Sequence, residues 1–525
     1  MVSQLQAAPQ RVVAFLDLGT NSIRLSVVRI NANHSVTVLT QQKEAIRLGD
    51  GEFAAEQLQP AAMDRAVLVC RKFHELARSF GVEEFMAVAT SATREAHNQG
   101  EFLHRLQQEA GVDMRVISGS EEARLIYRGV ASGIYLERNT ALFLDIGGGS
   151  TEIIVGDQKD YQFLDSLKLG AIRLTNLLVS DKAAPVTARQ YQRMQEYVRN
   201  TAIRALQRLR QFRLAYVVGS SGTAENLANM ISHQFNKRPM ELNELFSHLQ
   251  LKEVIRQLCA LPLEERRRIT GLNPERADII ICGAAILDTL MEDLEVREFR
   301  VSFRGLRDGM LVEYLTRNEY ARMIEELSLR ERSVLQLGRI CAFDEPHARN
   351  VSRLAVELFD SARAAGLHLL GSWERELLGH AALLHDLGAF LSYHNHQSHT
   401  YYFIRNADLL GFDQTEIGIM AATAYFHRKT FPRKKYHEFA SLDERSQQIV
   451  RVLCIILRLA ESLDRSHGGI IDSARFAVAD EGHIVLTLCA TQDCHLELWG
   501  LENHREAFFK AFGKRLTIGP AQIEF

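Results

Sequence analysis

No two of the seven cysteines in this chain form a CxxC pair. Cys70, Cys259, Cys282, Cys341, Cys454, Cys489 and Cys494 also make no even framework, which excludes a disulfide-stapled scaffold and suits a reducing cytoplasm. No apolar run approaches the roughly 20 residues of a spanning helix, and Met1 to Arg11 has no apolar core of signal-peptide length. No GxxxxGK[ST] occurs, so the common strand-to-helix phosphate loop is absent. The formal net charge of −3 over 525 residues marks no nucleic-acid binder; a polyanion would need a local basic patch. Low-complexity segments and coiled-coil heptads are missing too. These absences lead us to expect a cytoplasmic protein with no nucleic-acid partner and no integral membrane segment, and they leave peripheral membrane contact open.

What is present is a pair of matched turns. Phe15-Leu16-Asp17-Leu18-Gly19-Thr20-Asn21-Ser22 and Phe143-Leu144-Asp145-Ile146-Gly147-Gly148-Gly149-Ser150-Thr151-Glu152 each end an apolar strand in Asp. Each then turns through small residues into a second apolar run. An Asp at a strand end can hold hydrated Mg²⁺, while exposed N–H groups and hydroxyls of such a turn wrap phosphate oxygens. Two of them imply one phosphate site gripped from two sides, and internal duplication is the natural origin.

The pattern predicts an α/β fold of two similar lobes. Strand, turn and strand cover residues 12–30 and 141–155, Glu84 to Thr90 reads as a further strand, and a helix starts near Ser120. Ala215 to Val218 leads through Gly219-Ser220-Ser221-Gly222-Thr223 into a helix. Beyond about residue 312 helical periodicity dominates, over 320–340, 347–365, 374–390 and 445–465. Strand signals return at 474–478 and 483–488. The expected domains are therefore 1–135, 136–312, a helical 313–470 and a small α+β 471–525.

Arg24 and Arg94 are candidates to neutralise phosphate oxygens during phosphoryl transfer, against the plainer reading of solvated surface arginines. Ser118 and Glu121 have the spacing of a helix capping box. The other reading makes Glu121, at a helix start facing a cleft, a general base for water, and spacing alone favours the cap. Spacing leaves both roles, and both hydrolysis and phosphotransfer, open.

Taken in order, Asp17-Leu-Gly-Thr-Asn-Ser-Ile-Arg24, Ala89-Thr-Ser-Ala-Thr-Arg94-Glu-Ala, Ile117-Ser-Gly-Ser-Glu-Glu-Ala-Arg124, Asp145-Ile-Gly-Gly-Gly-Ser-Thr-Glu152 and Gly219-Ser-Ser-Gly-Thr223 resemble the exopolyphosphatase and guanosine pentaphosphate phosphatase family. This is a branch of the actin-like superfamily of duplicated ribonuclease-H-type domains. Arg276-Ala-Asp278 and Gly305-Leu-Arg307-Asp-Gly309 extend the resemblance to about residue 312. It implies that Glu121 is the catalytic base, that Arg94 helps hold the terminal phosphate, and that Asp17, Asp145 and Glu152 hold Mg²⁺ or its water. It assigns phosphate binding to Thr20, Asn21, Ser22, Arg24, Gly147, Gly148, Gly149, Ser150, Ser221, Gly222 and Thr223. The implied substrate is inorganic polyphosphate or guanosine pentaphosphate, with homodimerisation expected. A phosphate-metabolite sensor without turnover is the non-enzyme alternative; loss of Glu121 or of the loop aspartates would have signalled it, and none is lost.

The C-terminal half resembles the family's longer members, which carry a helical HD-type domain. His347, His385-Asp386 and Asp464 supply the H…HD…D order and imply a second divalent metal, which His399 and His427 would extend. Arg428, Lys429, Arg433, Lys434 and Lys435 form a basic run. In a near-neutral protein this is either a solvated loop or a surface that tracks a long polyanion by counterion release.

Overall fold

The computed structural model describes residues 10–136, 139–241, 243–317, 327–428 and 431–523. It divides into two compact units, Met1–Glu326 and Leu327–Phe525.

The first unit contains the same sheet twice. In the first half β1 (Arg11–Leu18), β2 (Ser22–Ile30), β3 (Val36–Ala45), β4 (Glu84–Ala89) and β5 (Met114–Val116) take the order 3-2-1-4-5. In the second, β6 (Ala141–Ile146), β7 (Thr151–Gly156), β8 (Tyr161–Leu167), β9 (Val217–Ser220), β10 (Leu245–Ser247) and β11 (Glu298–Val301) run 8-7-6-9-11-10. Each begins with an antiparallel meander, and the first strand then pairs in parallel with a strand reached through a crossover. Matching order and polarity express the expected duplication, a ribonuclease-H-like pair of the actin-like class.

Burial of β1 on both faces explains its near-continuous apolar sequence. Ala14, Leu16 and Leu18 face one core, while Val13 and Phe15 face another, following the period of two along a strand. Hydrophobic packing thereby holds Asp17, at the end of β1, in a fixed place. After β4 the chain forms a short helix, Ser91–Glu95. Helix Gly119–Ala131 crosses helix Leu306–Arg317 at a point where both contribute glycine. A Cβ on Gly309 would overlap the Leu125 carbonyl oxygen, and one on Gly129 the Gly305 carbonyl. Only hydrogen at those positions lets the helices come this close.

The second unit has the expected helices, seen as Leu329–Ile340, Glu345–Ala364, Ser372–Leu383 and Glu444–Ser462. A sheet of β12 (Ile471–Val478), β13 (His483–Ala490) and β14 (Arg515–Ile523) completes it. Leu486 and Phe508 share one core with Leu354 and Ile456. The sheet and the helices before it thus pack around one core within this unit.

Candidate active site

The two turns close with the same hydrogen bond. Gly19 N–H donates to Ser22 O at 3.1 Å, and Gly147 N–H donates to Ser150 O at 3.0 Å. Across the strands Asp17 stands opposite Arg24, and Asp145 stands opposite Glu152. The duplicated frame therefore offers a cation in one half where it offers an anion in the other.

One cleft of about 760 Å³ collects most of the predicted residues. Asp17, Thr20, Asn21, Ser22 and Arg24 come from the first turn, and Asp145, Gly147, Gly148, Gly149, Ser150 and Glu152 from the second. Ser221 and Gly222, at the start of helix Ser221–Ile231, complete the wall. Thr223 does not line it: this buried hydroxyl donates to Ile146 O at 3.0 Å and holds the turn from beneath. Gly149 sits so close to the first half that a Cβ would lie 2.6 Å from Ser91 Oγ and 2.9 Å from Thr20 Oγ1. The third glycine of the second turn is therefore fixed by packing between the lobes.

The two glutamates at this helix start face different ways. Glu121 lies outside the cleft, where Arg115 Nη1 donates to its Oε1 at 2.8 Å. Its own N–H is capped by Ser118 Oγ at 3.1 Å, so only half of the capping box forms. Glu122 lines the cleft and is 6% exposed. One residue along a helix turns a side chain by about 100°, which carries it from the solvent side to the cleft side. Ile126, one turn later, lines the cleft as well. Leu125 and Ile126, one turn beyond Glu121 and Glu122, are both apolar, so the sequence alone carries no signal that separates the two glutamates.

Arg94 is also placed differently from the expectation. It does not line the cleft; its Nη1 donates to Glu122 Oε2 and to Ile117 O, each at 2.9 Å. The guanidinium ties Glu122 to β5's end of the lobe. The resemblance had marked Arg276 and the Gly305-Leu-Arg307 segment without giving them a role, yet Arg276 and Arg304 line the cleft. Gly222 leaves room for the Arg276 guanidinium, which donates to Thr223 Oγ1 at 3.3 Å. Arg307 is mostly buried near Asp17 and donates to Leu25 O at 3.0 Å.

The floor of the cleft is crowded with carboxylates. Burial raises Asp17 to about 6, with Arg24 and Arg307 opposing and Asp145 adding to the rise. Burial and then Asp145 raise Glu152 to about 7, against the hydroxyls of Ser166 and Ser150. Asp145 is raised by burial although Ser220 Oγ donates to it at 2.7 Å. Glu122 is held well above the ordinary carboxylate range by burial and by Glu152, against the pull of Arg94. Burial and then Arg24 lower Arg276 to about 10.

Such a set fits a hard divalent cation. Its donors are all oxygen, and positive charge would relieve the mutual repulsion that raises them. Among the described residues, the metal-type trios whose ligand atoms lie within 4.8 Å of one another are both in the second unit. Asp17, Asp145 and Glu152 share the cleft without forming such a trio, and an ion that keeps waters and takes phosphate oxygens needs fewer protein ligands.

The second unit also gathers its predicted residues. His347, His385 and Asp386 form one trio, and His347 Nδ1 lies 2.7 Å from Asp464 Oδ2. His427 joins a second trio with Asp386, but its partner is His396, not His399. Arg428 lines a cavity together with His347, His385 and Asp386, 5.7 Å from the centre of the Tyr393 ring, and so leaves the basic run. Arg433, Lys434 and Lys435 are exposed, and Lys429 lies outside the described residues.

With this geometry in hand, comparison places the chain among known proteins. The profile of the Ppx/GppA phosphatase family matches residues 26–318, and that of Ppx/GppA phosphatase domain III matches 329–505. A guanosine-5′-triphosphate,3′-diphosphate pyrophosphatase of Aeromonas hydrophila is 28% identical over 477 residues, 90% of this chain and 92% of the relative. The crystal structure of an exopolyphosphatase from Cytophaga hutchinsonii superposes with a TM-score of 0.56 at 26% identity, covering 59% of this chain and 99% of that one.

Proposed function

This chain belongs to the Ppx/GppA phosphatase family, whose members are divalent-metal-dependent hydrolases of phosphoanhydride bonds, and from that premise we propose an exopolyphosphatase that removes terminal orthophosphate from inorganic polyphosphate. The observation that carries this reading is Glu122, a buried carboxylate in a cleft between two phosphate-type turns, held by Arg94. In this reading Glu122 takes a proton from the attacking water, and its raised affinity for protons suits a base working near neutral pH. Backbone N–H groups of the two turns, with Thr20 and Ser150, grip the terminal phosphate. Arg24, Arg276 and Arg304 balance the charge of the next phosphates along the chain. Asp17, Asp145 and Glu152 would hold Mg²⁺, which when bound would supply further positive charge at the phosphate oxygens. Arg433, Lys434 and Lys435 are suited to loose, salt-sensitive contact with a long polyanion.

One observation favours guanosine pentaphosphate as a second reading. Phe303, 54% exposed, and Glu225 sit where the cleft adjoins a further pocket that includes Asn226, Asn229 and Met240. An aromatic face beside a carboxylate suits a base that presents N–H donors, as guanine does.

Competing long-chain polyphosphate against guanosine pentaphosphate in one orthophosphate-release assay tests the choice. Preferential shortening of polyphosphate is expected, and exclusive turnover of the pentaphosphate would overturn it. Phe303→Ala separates the two further: it raises KM for the pentaphosphate alone if the pocket beside the cleft holds a base.

A further inference from the structure

The first lobe reaches across to the second through a segment that the proposed reaction does not use. Ile46 and Arg47 N–H both donate to Asn21 O at 3.0 Å, and Gly49 N–H donates to Thr20 O at 3.0 Å, so the backbone of this segment is bonded to the first phosphate turn. Arg47 holds a left-handed backbone, with φ at +49°, which a residue other than glycine adopts at a cost. Its side chain crosses to the second lobe. There the guanidinium takes both oxygens of Asp278, at 2.8 and 2.9 Å, and Glu275 O at 2.5 Å. Two-point pairing of this kind fixes angle as well as distance. Asp278 stands two residues from Arg276, a cation of the cleft.

Phe53 docks on the same lobe. It packs against the small apolar cluster of Ala171, Ile172 and Ile279, with the Arg173 guanidinium carbon 3.9 Å from its ring centre. Asp278 and Ile279, adjacent in sequence, thus take the two ends of one segment. Arg173 returns the contact: its Nε donates to Gly149 O, in the second turn, and its Nη2 donates to Glu95 Oε1, in the first lobe, each at 2.7 Å. Glu95 follows Arg94, the residue that holds Glu122. Two ion pairs and an apolar plug therefore tie each phosphate turn to the opposite lobe. Side-chain exposures of 31% and 12% for Arg47 and Asp278, and of 10% and 18% for Arg173 and Glu95, leave water and salt little room to screen them.

We propose that residues 46–53 are a strap that keeps the two turns closed on a polyphosphate chain between successive cuts, with Arg47, Asp278 and Phe53 as positioning residues that set how many phosphates are removed before the chain leaves. The inference rests on the exopolyphosphatase reading. Each cut frees one orthophosphate and leaves a chain one unit shorter, still balanced by Arg24, Arg276 and Arg304. With the turns tied together, the new end advances into the place of the old one. With the lobes apart, the end loses the grip of one turn and the chain escapes. Tripolyphosphate, too short to reach beyond the cleft after a cut, has to be bound afresh whatever the strap does.

The test uses the full chain with Mg²⁺ and compares polyphosphate of one long length with tripolyphosphate, products being resolved on gels at partial conversion and folding checked by circular dichroism. Wild type should leave uncut chains beside orthophosphate, with few lengths between. In Arg47→Met, Asp278→Asn and Phe53→Ala the chance of release per cut should rise about 5- to 30-fold, filling the gel with intermediate lengths. Arg47→Lys, which keeps the charge without the fork, should fall between. On tripolyphosphate the same variants should keep kcat and raise KM, a split that general damage to the fold does not give. Intermediate lengths already abundant in wild type, variants with the wild-type pattern, or an equal loss of kcat on both substrates would overturn the strap. A wild type that releases no orthophosphate from either substrate counts instead against the exopolyphosphatase reading. Hydrogen exchange of residues 46–53 then tests the strap without turnover: faster exchange in Arg47→Met than in wild type supports it, and equal rates refute it.

Discussion

Arg94 Nη1 lies 2.9 Å from Glu122 Oε2, and the same nitrogen donates to Ile117 O at 2.9 Å. The pair fixes Glu122 by a charged bond and fixes Arg94 by a backbone bond, so the carboxylate is aimed before any substrate arrives. Its neighbour Glu121 is occupied by Arg115 on the solvent side. Glu122→Gln should therefore lower kcat for orthophosphate release by about 10²- to 10⁴-fold, the usual worth of a positioned base, with KM little changed. Glu121→Gln should stay close to wild type. Steady-state kinetics of the two variants side by side reads the difference, and equal losses would sink the assignment of the base.

With Glu122 as the proposed base, Arg94 should also set the pH at which it works. Its charge and its hydrogen bond both pull the Glu122 proton affinity down, against burial and Glu152. Arg94→Met removes that pull, so Glu122 holds its proton to higher pH and the acid limb of the kcat profile moves to the alkaline side. Arg94→Lys keeps the charge but loses the planar fork, and should move the limb less. A profile with an unmoved acid limb would show that Arg94 acts elsewhere.

Strands ending in Asp17 and Asp145, and the helices of the second unit, were legible because each is written in a short, local pattern. The choice between Glu121 and Glu122 was not, since a helix's phase depends on what it packs against. Here that includes helix Leu306–Arg317, far along the chain, where a Cβ on Gly309 would overlap the Leu125 carbonyl oxygen. The same holds for Arg276 and Arg304, which reach the cleft only when the chain returns to it. His396 replaces His399 because the carbonyl of Tyr393 orients its ring toward Asp386. Thr223 was assigned to phosphate on the strength of its motif, while its hydroxyl is spent on Ile146 O.

The carboxylates of the cleft tie stability to pH and metal. Asp17 and Glu152 are raised to about 6 and about 7, so between the ordinary carboxylate range and these values the folded chain binds more protons than the unfolded one. Their contribution to stability is fullest in acid and is lost as pH rises through about 6 to 7. A divalent cation bound at these carboxylates would take the place of the departing protons. In calorimetry of metal-free protein, Glu152→Gln should gain on wild type as pH rises from about 5 to about 8, and Mg²⁺ should stabilise wild type more at the upper value. A Mg²⁺ effect that is equal at both pH values would count against cation binding at these carboxylates.

The crossing of the two helices at Gly129 and Gly309 gives the last test, because it links packing to the position of the base. An added methyl at residue 309 meets the Leu125 carbonyl, which is backbone and cannot swing aside. Gly309→Ala must therefore push helix Gly119–Ala131 away from helix Leu306–Arg317, and overpacking of this kind costs about 1 to 3 kcal/mol. The displaced helix carries Glu122, so kcat should fall in protein that is still folded at the assay temperature. Gly81→Ala is the contrast: its Cβ would meet nothing, but its φ of +72° imposes backbone strain alone. It should lower the unfolding temperature without lowering kcat. Thermal melts and kinetics on both variants separate displacement of the base from loss of stability, and a Gly309→Ala enzyme with wild-type kcat would show that this helix contact does not set the position of Glu122.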